Sequence, residues 1–195
     1  MLNATYKVTS DPAREPISLA ELKKRIRITT CDFDDELQDL LISGRQAVEY
    51  DARRYLITQS VELYLDRFPS GTVLEIRRAP VSAVASVQYV DEDQATQTYA
   101  SSRYSTDLDS TPPRIILTEN EDWEDTEPSW PHAVTVSFTG GYGLTPEDVP
   151  VEARLAIVEW VRMNWSGCDH SNGGRTNYDK LIDSLAWSAV WRSSV

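Results

Sequence analysis

The 195-residue chain is 41% apolar and carries a formal net charge of −12. That apolar content can bury a full core without disulfide or metal staples, and the acidic balance disfavours DNA or an anionic membrane surface as a target. Cys31 and Cys168 have no second cysteine at a ligand spacing, so both are expected as free thiols, which suit a reducing compartment at least as well as a secreted one.

The N-terminal stretch MLNATYKVTSDPAREP lacks a charged start, an apolar run and a small-residue cleavage site, and no run of about 18 apolar residues occurs anywhere. A soluble chain, unprocessed by a signal peptidase and without a membrane partner, is expected. Ser18 and Glu21 then form an S-x-x-E capping box, with Ile17 and Leu22 placed as a hydrophobic staple. The helix they start should run to about Arg27, burying Leu19, Leu22 and Ile26 and leaving Lys23, Lys24, Arg25 and Arg27 as a solvated basic face. A second helix begins near residues 32–35 and ends near Arg54, with Leu37, Leu40, Leu41, Ala47 and Val48 at helical spacing. The short connection makes the two helices antiparallel neighbours in a bundle.

From Thr58 the apolar period changes to two: Val61, Leu63 and Leu65 alternate with Ser60, Glu62, Tyr64 and Asp66 before a Pro69-Ser70-Gly71 turn. Further strands are expected over residues 73–76, 84–90, 96–99, 114–118 and 133–139, the last with Val134, Val136 and Phe138 on one face. The polar, proline-punctuated stretches 106–113 and 118–131 are expected to be exposed and mobile. After Gly140-Gly141-Tyr142-Gly143, a broadly apolar helix over residues 151–166 carries Trp160 and Trp165 as core residues, with Gly167 as its C-cap. Ser171-Asn172-Gly173-Gly174 leads to a final helical pattern through Leu181, Ile182, Leu185 and Ala189. The expected fold class is α+β: a small α-helical bundle with an inserted antiparallel β-sheet sub-domain. Its parts are residues 1–57 (N-terminal helical part), 58–145 (β-rich insertion) and 146–195 (C-terminal helices and tail).

Charge is concentrated in the insertion. Residues 91–127 hold eleven acidic side chains against two basic ones, nine of the twelve net negative charges. Such a segment creates a local repulsive field without specifying a reaction. The two histidines, His132 and His170, lie in no nucleophile or zinc motif, the Asp107-x-Asp109 and Asp91-Glu92-Asp93 groups lack the remaining calcium ligands, and the glycines before Tyr142 lack a following Gly-Lys-Ser/Thr. No enzyme activity, cofactor or metal is expected. Trp123 and Trp130, in the acidic stretch, serve either as loop anchors or as partner contacts, and the latter use defines a partner-facing loop. Trp187 and Trp191, four apart on the terminal pattern, share one face that docks on the domain itself or on another subunit.

The order of blocks PISLAELKKRIRI, DDELQDLLISGRQAVEYDARRYLITQSVELYLDRFP, IRRAPVSAVASVQYVDEDQATQTY, VTVSFTGGYG and VPVEARLAIVEWVRMNW, over residues 16–166, resembles the head-to-tail connector (adaptor) proteins of tailed bacteriophages and their prophage or gene-transfer-agent relatives. The resemblance implies a structural virion protein, made in the bacterial host cytoplasm. It would form a homo-oligomeric ring, commonly of twelve copies, beneath the portal protein. It would meet a neck stopper or tail-terminator protein on its other side and let DNA pass without sequence-specific binding. On that reading Trp187, Trp191 and Arg192 bind the portal, and Arg53 and Arg54 pair with acidic groups of a neighbouring copy. A chain shortened after Tyr178 would keep its fold and lose attachment. The competing class is a carbohydrate- or protein-binding module that uses the tryptophans of the acidic loop.

Overall fold

The computed structural model describes residues 4–127, 130–165 and 174–185. The chain divides into two compact units, one of residues 1–12 with 58–141 and the other of residues 13–57 with 142–195.

The first unit is built from antiparallel sheets. Strands β1 (Ala4–Ser10), β2 (Gln59–Leu65), β4 (Val81–Val90), β5 (Thr96–Thr98) and β8 (Val134–Gly140) form a sheet of order β1-β2-β8-β4-β5. The alternation read from the sequence sets its register. Val61, Leu63 and Leu65 lie opposite Phe138, Val136 and Val134 on the buried face, while Ser60, Glu62 and Tyr64 lie opposite Thr139, Ser137 and Thr135 on the other. A smaller sheet, β3 (Val73–Glu75), β7 (Arg114–Leu117) and β6 (Tyr104–Asp107) in the order β3-β7-β6, buries Leu74, Ile115 and Leu117.

Two strands differ from expectation. β1, which the sequence division leaves with the helical part, pairs with β2 along its length, and the Tyr6 hydroxyl accepts the Arg77 N–H at 2.7 Å. β6 and the two prolines after it occupy much of what reads as an exposed loop: Pro112 and Pro113 are buried, and Arg114 holds the Asp107 carboxylate. Polar composition misleads here because backbone pairing with β7 satisfies the main chain of Tyr104–Asp107 without apolar side chains.

The second unit is helical: α1 (Leu19–Ile26), α2 (Asp34–Ala52), α3 (Val151–Asn164) and α4 (Gly174–Leu185). Ser18 caps α1, its hydroxyl accepting the Glu21 N–H at 3.2 Å, but the Glu21 carboxylate is taken by Arg25 one turn on, at 2.6 Å. Ile17 and Leu22, the staple pair, are both fully buried in one core with Leu37, Leu41, Val48, Ile157, Val161 and Tyr178. Gly44 lets α2 and α3 approach closely, since a Cβ there would lie 3.2 Å from Trp160 Cε3 and 3.3 Å from Ile157 Cγ2. α3 ends at Trp165, whose N–H reaches the Val161 carbonyl at 2.8 Å. The expected cap Gly167 lies outside the described residues. α4 is fastened to α2 by the Tyr178 hydroxyl, which donates to Asp51 at 2.8 Å, and to the chain just after α2 by Arg54 Nε, which donates to the Leu185 carbonyl at 2.7 Å.

Before α3, Asp148 closes a tight turn by accepting the Thr145 N–H at 2.9 Å and the Thr145 hydroxyl at 3.0 Å. A Cβ on Gly143 would fall 2.2 Å from the same carboxylate oxygen, which explains that glycine without a phosphate ligand.

Candidate functional site

The acidic segment is anchored, not loose. Trp123 lies flat on Phe68, ring centroids 4.5 Å apart and planes 8° apart, and its Nε1 donates to the Gly71 carbonyl at 2.8 Å. The Tyr99 hydroxyl donates to the Asp122 carbonyl at 2.7 Å. Arg103 sits 4.6 Å from the Tyr99 ring centroid and binds both Glu121 and Glu124. Arg103 and Arg114, the segment's only two cations, are thus both engaged by acids of the same segment. Pairing therefore occurs inside a stretch whose net charge stays strongly negative.

Individual carboxylates are held in their charged form. The Asp91 carboxylate accepts from Gln97 Nε2 at 2.8 Å and from the N–H groups of Ala95 and Asp93, which keeps its pKa below the usual aspartate range. Arg114 does the same for Asp107. Neither arrangement resembles a carboxyl kept protonated to act as a general acid.

Each expected site residue has a distinct setting. Trp123 is the half-buried anchor just described, whereas Trp130 is 43% exposed. Arg53 is the exposed, left-handed C-cap of α2. Arg54 is committed within its own chain, to Leu185 and to the ring of Tyr142, 5.9 Å away. Trp187, Trp191 and Arg192 lie outside the described residues. Trp165 is buried and Trp160 packs on the helical core. His132 stacks on Tyr64 at 5.1 Å, and its backbone N–H reaches Asp66 at 3.3 Å. Cys31 is free and exposed. Among the described residues no group of three His, Cys, Asp or Glu side chains is placed to hold a metal, and no helix is long and apolar enough to cross a membrane.

One cluster escapes sequence reasoning. Arg45 and Glu49, on α2, are 5% and 6% exposed, and Arg45 Nε binds Glu15 at 2.8 Å while Nη1 binds Glu49 at 3.0 Å. The other Glu49 oxygen accepts the Leu56 N–H at 2.9 Å, fixing the chain just after α2. The signal is present as the inward spacing Leu41, Arg45, Val48, Glu49 and Ala52, but a charged pair at such positions reads as surface unless its partner is known. Burial pushes the Glu49 carboxyl above the usual glutamate range, against the pull of Leu56 and Arg45. Its folded pKa exceeds its unfolded one, so its linked stability is fully present below the unfolded pKa and is lost as pH rises through the folded pKa. Glu49→Gln should remove this contribution. The stability of the parent relative to the variant should rise as pH falls from neutral towards the glutamate range, and parallel unfolding curves across that window would contradict this.

The assembled features define a class: an α+β protein of one helical and one β-sheet unit, carrying an anchored acidic loop. No protein-family model matches the chain, and no curated protein does. Solved structures do. The chain shares its fold with a component of the neck of gene transfer agent (GTA) particles. The similarity to a chain in the neck of an empty GTA particle, computed with C6 symmetry, has a TM-score of 0.74 and 20% identity, covering 93% of this chain and 95% of that one. For a chain in the virion of a native GTA particle the TM-score is 0.72 at 20% identity, with coverage of 93% and 95%. For a chain in the neck of a native GTA particle, computed with C12 symmetry, it is 0.69 at 20% identity, with coverage of 95% and 94%.

Proposed function

We propose that this protein is a structural subunit of the neck of a tailed phage or phage-like particle. Copies of it form a ring beneath the portal, join the head to the neck or tail, and leave a channel for DNA. The observation that carries this reading is a fold shared with GTA neck chains over nearly the full length of both. The symmetric necks of those particles support a homo-oligomeric ring, commonly of twelve copies, whose other contacts are the portal and a stopper or tail-terminator protein. A negative segment suits a channel through which DNA must move, because a lumen that attracted phosphates would slow it through many weak contacts.

Electron microscopy of the protein mixed with portal-bearing, tailless heads tests this reading. A ring at the portal vertex is expected; protein that ignores the heads would overturn it.

Trp187, Trp191 and Arg192 are the proposed portal contacts. A chain ending at Tyr178 is unsuitable for testing them, because it would strip the buried Ile182 and Leu185 from the helical core. A chain ending at Leu185 keeps both, and it should retain its circular dichroism and thermal midpoint while losing attachment to the heads. Attachment at parental level would remove the tail from the interface.

Arg53 is the proposed cation between copies, and Arg54, already bound to Leu185, is not a suitable companion in a charge-reversal test. Arg53→Glu should weaken ring assembly several-fold at low salt and progressively less as ionic strength rises, as expected for an exposed pair. Salt-independent, unchanged assembly would exclude it.

A further inference from the structure

The helical unit exposes large apolar side chains at both ends of α2. At its C-terminal end Tyr50 is 73% exposed, one turn before Arg53. The chain after α2 meets the turn before α3 there: the Tyr142 N–H reaches the Leu56 carbonyl at 3.0 Å, and Ile57 bridges Gly143. That turn carries Leu144, 68% exposed, and leads to Val151, 52% exposed. At the other end Phe33, the N-cap residue, is 45% exposed between Asp32 and Asp35. Nineteen helical residues put about 28 Å between these ends.

We infer that these ends are the two halves of one head-to-tail contact: the Tyr50, Arg53 and Leu144 end of one copy seats on the Phe33 end of the next copy of this chain. The inference rests on the ring proposed above and adds to it the faces used. A ring needs two different, complementary patches per subunit, and a single self-complementary patch would stop at a dimer. The charges fit the pairing. Arg53 makes no ion pair among the described residues, and exposed Asp32, Asp35 and Glu36 flank Phe33. In return, exposed Glu147 and Glu152 near Leu144 would face Lys24 and Arg27, close to the Phe33 end. Tyr and Arg are also the residue types that most often anchor protein interfaces.

Cys31, exposed two residues before Phe33, supplies the probe. In a Cys168→Ser background, Leu144→Cys protein treated with a short bis-maleimide should give a ladder of covalent multimers on a denaturing gel, and Cys31→Ser should abolish it. Leu144→Asp should weaken self-association about tenfold by sedimentation, equivalent to ~1.4 kcal/mol, with an unchanged circular dichroism spectrum. Assemblies that form without a ladder, or a cross-link that stops at dimers and survives Cys31→Ser, would overturn this contact and leave the ring reading standing. Protein that stays monomeric even with portal-bearing heads would overturn both.

Discussion

Arg45→Met should destabilise the helical unit by about 3–5 kcal/mol, the cost typical of removing one partner from a buried ion pair. Arg45 lies between two carboxylates, Glu15 on the segment before α1 and Glu49 one turn along α2. Without it, the buried Glu49 carboxylate keeps the Leu56 N–H but loses the guanidinium beside it, and Glu15 loses its bond to the helix. Methionine has a similar reach and fills the space, so the loss reports charge and not a cavity. The same physics predicts a rescue. Glu15→Gln and Glu49→Gln, added to Arg45→Met, remove the two carboxylate charges that Arg45 neutralised and should recover most of the loss, because a fully replaced buried ion network is often neutral or stabilising. The Leu56 bond can survive in that triple variant through the glutamine carbonyl. Urea unfolding followed by tryptophan fluorescence measures all three proteins. A single variant within about 1 kcal/mol of the parent, the scale of an exposed ion pair, would mean that Arg45 contributes as a surface residue does.

That cluster marks where sequence reasoning runs out. Helix α1 was legible because Ser18 must satisfy an N–H that the helix leaves open, and β2 and β8 because apolar residues recur on one face of each. β1 carries the same alternation in Ala4, Tyr6 and Val8, but it is almost entirely exposed, so the pattern lacks the apolar bulk that distinguishes a strand from a leader. Arg45 and Glu49 were illegible for the opposite reason. Inward positions on α2 hold charges made tolerable by each other and by Glu15, thirty residues before Arg45, and no local pattern reports a partner so distant. The acidic segment showed its charge but not its order. Its main fixed point, Trp123, depends on Gly71, fifty-two residues earlier, and on the ring of Phe68. Legibility thus followed local satisfaction of backbone and periodicity, and failed where long-range contacts decide.

Trp123→Ala is expected to release the acidic segment while the five-stranded sheet stays folded. The substitution removes the face-to-face contact with Phe68 and the tilted ring contact with Tyr99, 5.3 Å away, together with the bond to Gly71. A buried tryptophan truncation costs 3–5 kcal/mol, and since Trp123 is only half-buried, roughly 2–3 kcal/mol is expected. Trp123→Phe keeps an aromatic ring on Phe68 but not the Nε1 donor, so its loss should be nearer the ~1 kcal/mol of one hydrogen bond. The direct readout is local. Glu119, Glu121, Glu124 and Glu127 are cleavage sites for a glutamyl endopeptidase, and nicking there should accelerate by more than tenfold in Trp123→Ala if about 2 kcal/mol of local protection is lost. Arg103→Met offers the comparison. It removes the cation shared by Glu121 and Glu124 yet leaves the indole in place, so it should loosen the segment less, because those groups are partly solvated. Equal nicking rates in parent and Trp123→Ala would mean that Tyr99 and Arg103 hold the segment without the indole. A faster rate in Trp123→Ala alone would make Trp123 the residue that converts an acidic stretch into a fixed, negatively charged surface.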